Sequence, residues 1–235
     1  MENYLSQQLA ISISKSNVEM TDELINICES YYNKPAFNLQ DLKNRNTKTK
    51  GDIFEEFCYR YMKICYQLDS IWFYKDVPID IKDKLNLTKN DMGIDFVGLD
   101  EKGEYYAIQA KYRKRNKNKK TGVTWKQLST FYALALKTGP YKKHIVFTNA
   151  DYVRHIGKKT KLDQTINYNS LKKINHFDWM KIANFSKDSN ILKQNDNILG
   201  QKENKLSSNS DETTQLTMEQ IRLKRLIYYK NKNII

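Results

Sequence analysis

Only three cysteines, Cys28, Cys58 and Cys65, occur in 235 residues, and no two of them form a CxxC pair. That spacing excludes a CxxC zinc or redox motif and fits reduced core cysteines in an intracellular protein. The three histidines, His144, His155 and His176, are scattered, which argues against a zinc cluster and a histidine-based nuclease motif. No apolar run reaches the roughly 18 residues of a membrane-spanning helix. The first residues lack a charged stretch followed by an apolar one, so no secretion signal is expected. The expected location is therefore intracellular, cytoplasmic or nucleoid/nuclear, without a membrane partner. A GxxxxGK[ST] phosphate loop is missing, so no P-loop motor is read in this sequence. No internal repeat is visible.

Charge is abundant. Charged residues make up 29% of the chain, apolar ones 40%, and the formal net charge is +13. Such a composition can build a core for part of the chain rather than all of it. The positive excess calls for a polyanionic partner, with nucleic acid ahead of a membrane surface. Lys, Asn and Ile are frequent throughout, so part of the excess is compositional.

Periodicity divides the chain into four parts. Residues 1–47 form an N-terminal helical segment. Its first 20 residues are weakly patterned. A helix is predicted from Thr21, as cap, to the break at Pro35, with Leu24, Ile25, Cys28, Tyr31 and Tyr32 in one stripe. Residues 48–184 form the main domain. Phe54, Phe57, Cys58, Tyr61, Met62 and Cys65 repeat at helical spacing from Asp52 to Cys65. Ser70 to Ile79 reads as a strand, with Pro78 at its end or on an edge. Lys82 to Asn90 reads as a polar loop. A helix is predicted from Trp125 to Lys137, ended by Gly139-Pro140. A short apolar strand follows from Lys143 to Asn149. Its place after a helix predicts a crossover and parallel pairing with the preceding strand. Asn169 to Ala183 is ambiguous between strand and helix. Residues 185–216 are polar and predicted to be a flexible linker. Residues 217–235 are predicted to form a basic amphipathic helix, with a Thr217/Gln220 capping box and a Leu216/Ile221 staple.

The chemistry concentrates between Asp91 and Lys120. Asp95 sits within an apolar run of Met92, Ile94, Phe96 and Val97, followed by a turn signal at Asp100 to Gly103. The next apolar strand, Tyr105 to Tyr112, carries Gln109 and Lys111. These two are i and i+2 and share a face. A hairpin would bring Asp95 alongside them. Burying such groups is costly unless they pair or hold a metal. Seven Lys or Arg and no acid follow between Lys111 and Lys120. Such a run is solvated. Its position beside the polar strand residues suits phosphate tracking by Arg113, Lys114, Arg115, Lys117, Lys119 and Lys120. Tyr112, Trp125 and Tyr132 are candidates for stacking on bases, with core packing the alternative for Tyr132.

Gly51-x-x-Phe54-Glu55, then Gly93-Ile94-Asp95, then Gln109-Ala110-Lys111, in this order, resembles the PD-(D/E)xK, or restriction-endonuclease-like, nuclease superfamily. The QxK motif is closest to its Mrr-like branch. The resemblance covers roughly residues 48–150. It implies an α/β fold: a mixed sheet of four to five strands flanked by helices. It implies Mg²⁺-dependent hydrolysis of DNA phosphodiesters, with Mn²⁺ as a substitute and RNA a less favoured substrate. It also implies a role in restriction, recombination or repair. The catalytic set carried over is Glu55, Asp95, Gln109 and Lys111. Asp95, Gln109, the Ala110 carbonyl and Glu55 would hold the metal, and Lys111 would orient the nucleophile and stabilise charge on phosphorus. A homodimer and a helicase acting in trans are compatible partners.

Each residue also has a structural reading. Asp95 fits a strand end, Gln109 a satisfied core amide, and Lys111 an edge lysine with its amine in water. Glu55 and Glu56 both suit the first turn of a helix, and the GxxFE register favours Glu55. Gln109 stands where the superfamily's commoner pattern has a second acid, which lowers the expected metal affinity. The alternative function is thus a catalytically degraded nucleic-acid-binding module of the same fold. A further rival is an interaction protein whose basic tail binds acidic partners.

Overall fold

The structure is a computed structural model that describes residues 2–15, 17–32, 51–89, 93–115, 118–154 and 160–186. The predicted C-terminal helix at 217–235, the linker beyond residue 186 and Lys117 lie outside the described residues.

A five-stranded mixed sheet, in the order β1-β2-β3-β5-β7, organises the chain. Strand β1 (Ser70–Phe73), β2 (Phe96–Leu99) and β3 (Tyr105–Lys111) form an antiparallel meander. Strands β5 (Lys143–Thr148) and β7 (Asp163–Ile166) then extend it in parallel from β3. The parallel pairing of β3 and β5 is the one predicted from the intervening helix, α5 (Trp125–Lys137). That helix starts with a capping box between Thr124 and Gln127, which satisfies two otherwise orphaned N–H groups.

Strand alternation assigns two faces. Phe96, Tyr106, Ile108, Ala110, Ile145 and Phe147 belong to one apolar cluster. It is completed by α1 (Glu2–Ile13), α2 (Met20–Tyr32), α3 (Asp52–Ile64) and α7 (His176–Ala183). Val97, Ala107 and Val146 belong to the other, with α5 and the short α4 (Ile79–Lys84). Both faces being covered explains why β3 and β5 read as nearly continuous apolar runs. A small parallel pair, β4 (Gly122–Val123) with β6 (Tyr152–Val153), and the one-turn α6 (Tyr168–Leu171) complete the described elements.

Several local expectations change. Thr21 does not cap α2: the helix starts at Met20, and Thr21 is fully buried in its first turn. The Glu19 carboxylate instead accepts from the Thr21 N–H at 3.4 Å. The strand predicted to Ile79 stops at Phe73, where a 3-10 turn, Tyr74–Asp76, begins. Pro78 then flanks α4, which occupies the start of the predicted loop. Proline presets a helix entry and donates no N–H, so it suits that place as well as a strand end. The ambiguous stretch from Asn169 to Ala183 holds the end of α6 and α7, both started by asparagine caps, Asn167 and Asn175.

Candidate active site and nucleic-acid interface

Strands β3, β5 and β7 run parallel, so their C-terminal ends share one edge of the sheet. The antiparallel β2 brings its entry to that same edge. Gly93 opens this approach with φ +122, a conformation that glycine tolerates best. A Cβ there would lie 3.1 Å from the Phe131 backbone nitrogen, so α5 also requires the missing side chain.

Asp95 is fixed from three directions. Its N–H donates to the Ile108 carbonyl at 3.0 Å, and its carbonyl accepts from the Tyr74 N–H at 2.9 Å. Its carboxylate Oδ2 accepts from the Ala110 N–H at 2.7 Å. The register that pairs Phe96 with Ile108 sets Asp95 across from Gln109. Gln109 is 4% exposed, and its amide oxygen has no hydrogen-bond partner among the described residues. A buried acceptor left unpaired costs about 1–3 kcal/mol, so the oxygen is poised for a donor or a cation.

Glu55 is carried in the first turn of α3. Its side chain folds back over Gly51, where a Cβ would stand 2.7 Å from Oε1. Cys58, one turn later and fully buried, has its thiol pushed well above the ordinary range. Burial is the first cause, and the charges of Glu55 and then Asp95 follow. Glu56 turns elsewhere: it is 5% exposed and its Oε1 lies 2.9 Å from Arg60 Nε. Its neighbours are α1 and α7, because Arg60 Nη1 also donates to Ser6 Oγ at 2.8 Å and the Ile182 carbonyl at 3.0 Å. The structure therefore separates the two adjacent acids that the sequence left competing.

Lys111 ends β3 on the Gln109 side and is half-buried. Its amine forms no ion pair among the described residues. Ala110 is buried on the opposite face. The donors expected from the sequence, the Asp95 and Glu55 carboxylates, the Gln109 amide oxygen and the Ala110 carbonyl, are all oxygens, a chemistry that suits a hard divalent cation. Among the described residues no group of three His, Cys, Asp or Glu side chains could hold a metal. The amide at position 109 makes any site here poorer in charge than an all-acid one.

The basic segment splits into anchored and exposed members. Arg115 donates to Asp151 Oδ1 at 2.9 Å and to the Asn149 carbonyl at 3.0 Å, and its guanidinium lies 3.7 Å from the centre of the Tyr168 ring. Burial lowers the Arg113 pKa, and its Nε has no partner among the described residues. Lys114, Lys119 and Lys120 are exposed. They line one side of a cleft of about 800 Å³ whose other side is α2, with Asn26 and Glu29. All three candidates for base stacking make ring contacts within the protein: Tyr112 packs edge-on against Phe54 and donates to Glu29 Oε1 at 2.6 Å. Trp125 stacks on Tyr132 at 5.2 Å.

Sequence reading missed Thr148 and Asn149, which hold the backbone of residues 111–113 through side-chain hydrogen bonds. Two small polar residues at the end of an apolar strand were the available signal. No helix among the described residues is long and apolar enough to cross a membrane.

A family model described as "Restriction endonuclease" matches residues 63–190, a span that holds Asp95, Gln109 and Lys111 and leaves Glu55 outside. Restriction-endonuclease-like families typically use a divalent metal. No curated protein matches the chain. One similar solved structure is an "ATP-dependent Type ISP restriction-modification enzyme LlaBIII bound to DNA", at 19% identity and a TM-score of 0.41. The similarity covers 82% of this chain and 11% of that one. With its match to the family model extending over more than half its length, this chain belongs to the restriction endonuclease family, a family of nucleases.

Proposed function

We propose that this chain is a Mg²⁺-dependent DNA endonuclease that hydrolyses phosphodiester bonds, of the kind used in restriction, recombination or repair. The observation that carries the reading is the buried, unpartnered amide oxygen of Gln109 across from the Asp95 carboxylate. Asp95, Gln109, the Ala110 carbonyl and Glu55 would hold the ion. Bound there, Mg²⁺ would polarise the scissile phosphate and lower the pKa of an attached water.

The chain's own residues do the rest. Asp95, tied through the Ala110 N–H, brings a fixed negative charge to the cation. Lys111 orients the attacking water and stabilises charge gathering on the phosphate oxygens. Lys114, Lys119 and Lys120 hold the flanking phosphates, with Arg113 beside the scissile one. A second copy of the chain would supply the site for the opposite strand.

Cleavage of supercoiled, linear, single-stranded and branched DNA, with and without Mg²⁺ or Mn²⁺, tests the proposal. Metal-dependent nicking by the wild type is expected, with at least a 100-fold loss in Asp95→Ala and Lys111→Ala. The missing second acid favours one other reading, a binding module. DNA shifted in a gel but never cut with either metal would establish it and overturn the nuclease assignment.

A further inference from the structure

The regular pairing of β3 with β5 ends at Lys111 opposite Thr148. Beyond that point two side chains continue what the backbone no longer does. Thr148 Oγ1 donates to the Lys111 carbonyl at 2.6 Å and accepts from the Ala150 N–H at 3.1 Å. Asn149 is fully buried. Its Oδ1 accepts from the Arg113 N–H at 2.6 Å, and its Nδ2 donates to the Arg113 carbonyl at 2.7 Å. One primary amide thus satisfies both main-chain groups of one residue, as a neighbouring peptide would. Only asparagine and glutamine carry a donor and an acceptor in this fork, and glutamine's is a methylene farther out. Aspartate would keep the acceptor and lose the donor.

The fork matters because of what it holds. Lys111, Tyr112 and Arg113 start a segment of like charges that would otherwise leave the strand end splayed by repulsion. With their backbone clamped at 111 and again at 113, the Lys111 side chain keeps the direction that β3 gives it, on the side of Gln109. We propose that Asn149 is a positioning residue for phosphodiester hydrolysis: it acts through Lys111 by fixing the backbone that carries it. Thr148 supports the same backbone. This inference rests on the nuclease reading above. Misplacing a reacting group by about 1 Å can cost about 100-fold in rate without weakening substrate binding.

Single-turnover cleavage at enzyme excess and DNA affinity are compared for wild type, Asn149→Ala, Lys111→Ala and the double variant. Asn149→Ala is expected to cut about 100-fold more slowly, with DNA affinity changed by less than about threefold. The double variant is expected to be no slower than Lys111→Ala alone, since residues acting as one unit do not lose additively. Asn149→Asp should fall between wild type and alanine, and amide hydrogen exchange at Arg113 should quicken in Asn149→Ala, which loses the acceptor for that N–H, and not in Asn149→Asp, which keeps it. Should Asn149→Ala be poorly folded, Thr148→Val removes the companion bond and must show the same dependence on Lys111. Losses that multiply, wild-type rates in Asn149→Ala, or a defect that vanishes on cooling would overturn the positioning role and leave the nuclease reading standing. A wild type that cuts no DNA overturns that reading, and the positioning role with it.

Discussion

Glutamine at position 109 sets the charge of the whole candidate site. A buried carboxylate there would face Asp95 across the ladder, and like charges at such range oppose ionisation. An amide avoids that repulsion and keeps an oxygen for a cation. The substitution Gln109→Glu therefore separates apo stability from metal affinity. Without metal, the variant is expected to be destabilised by about 1–3 kcal/mol, the cost of an ill-matched buried polar group. With Mg²⁺ the order should invert, because an added negative ligand raises affinity for a hard cation. Thermal unfolding with and without Mg²⁺ measures both effects, through the greater stabilisation that ligand binding gives the variant. Equal Mg²⁺-induced shifts in wild type and variant would show that position 109 does not meet the ion. Asp95 and Lys111 were legible as residues because polar groups in apolar strands are conspicuous. Asn149 was not, because an asparagine after a strand reads as an ordinary turn residue until its two bonds to Arg113 are seen.

Within one element, α3 sends adjacent acids to different tasks. Glu55 folds over Gly51, while Glu56 closes on Arg60. Arg60 in turn joins α1 through Ser6 and α7 through the Ile182 carbonyl, with its guanidinium fully buried. Removing one partner of such a pair strands the other charge in the core. Glu56→Ala is accordingly expected to cost about 3–5 kcal/mol in urea unfolding. Glu55→Gln should stay within about 0.5 kcal/mol of wild type yet lose metal-dependent cleavage. The opposite outcome, a stable Glu56→Ala that no longer cuts, would exchange the roles of the two acids. The α3 stripe was readable because its buried residues repeat along one face. Helix α1 was not, since Leu5 and Leu9 are buried while Ile11 is 53% exposed, so its apolar residues surround the helix. Strand β7 was missed for a related reason: at the sheet edge its sequence DQTI buries only Ile166.

Across the whole molecule the two ends of the sheet carry different electrostatics. At the N-terminal end of β3 and β5, Lys142 pairs with both Asp100 and Glu104. Against the opposing effect of burial, the Glu104 N–H and then Lys142, the Tyr106 hydroxyl and the Lys102 N–H hold the Asp100 carboxyl below its usual range. There, charge is largely cancelled. At the C-terminal end the chain leaves β3 into a basic segment, where Arg115 is consumed by Asp151 and Lys114 and Lys119 stand exposed. Among the described residues, the exposed positive charge of this segment therefore lies at the C-terminal end of the strands. It could be anticipated only in part, since counting charges does not reveal which arginine is already paired. If the exposed lysines carry the proposed DNA binding, it weakens with salt, because each neutralised phosphate releases counterions. Lys114→Ser and Lys119→Ser are each expected to reduce the slope of log affinity against log salt by about 1. Neither should move the unfolding midpoint. Arg115→Ala is expected to behave differently, lowering stability by freeing Asp151 and the Asn149 carbonyl. A salt titration of DNA binding across these variants distinguishes the two classes, and an unchanged slope in both lysine variants would move the phosphate path away from this edge of the sheet.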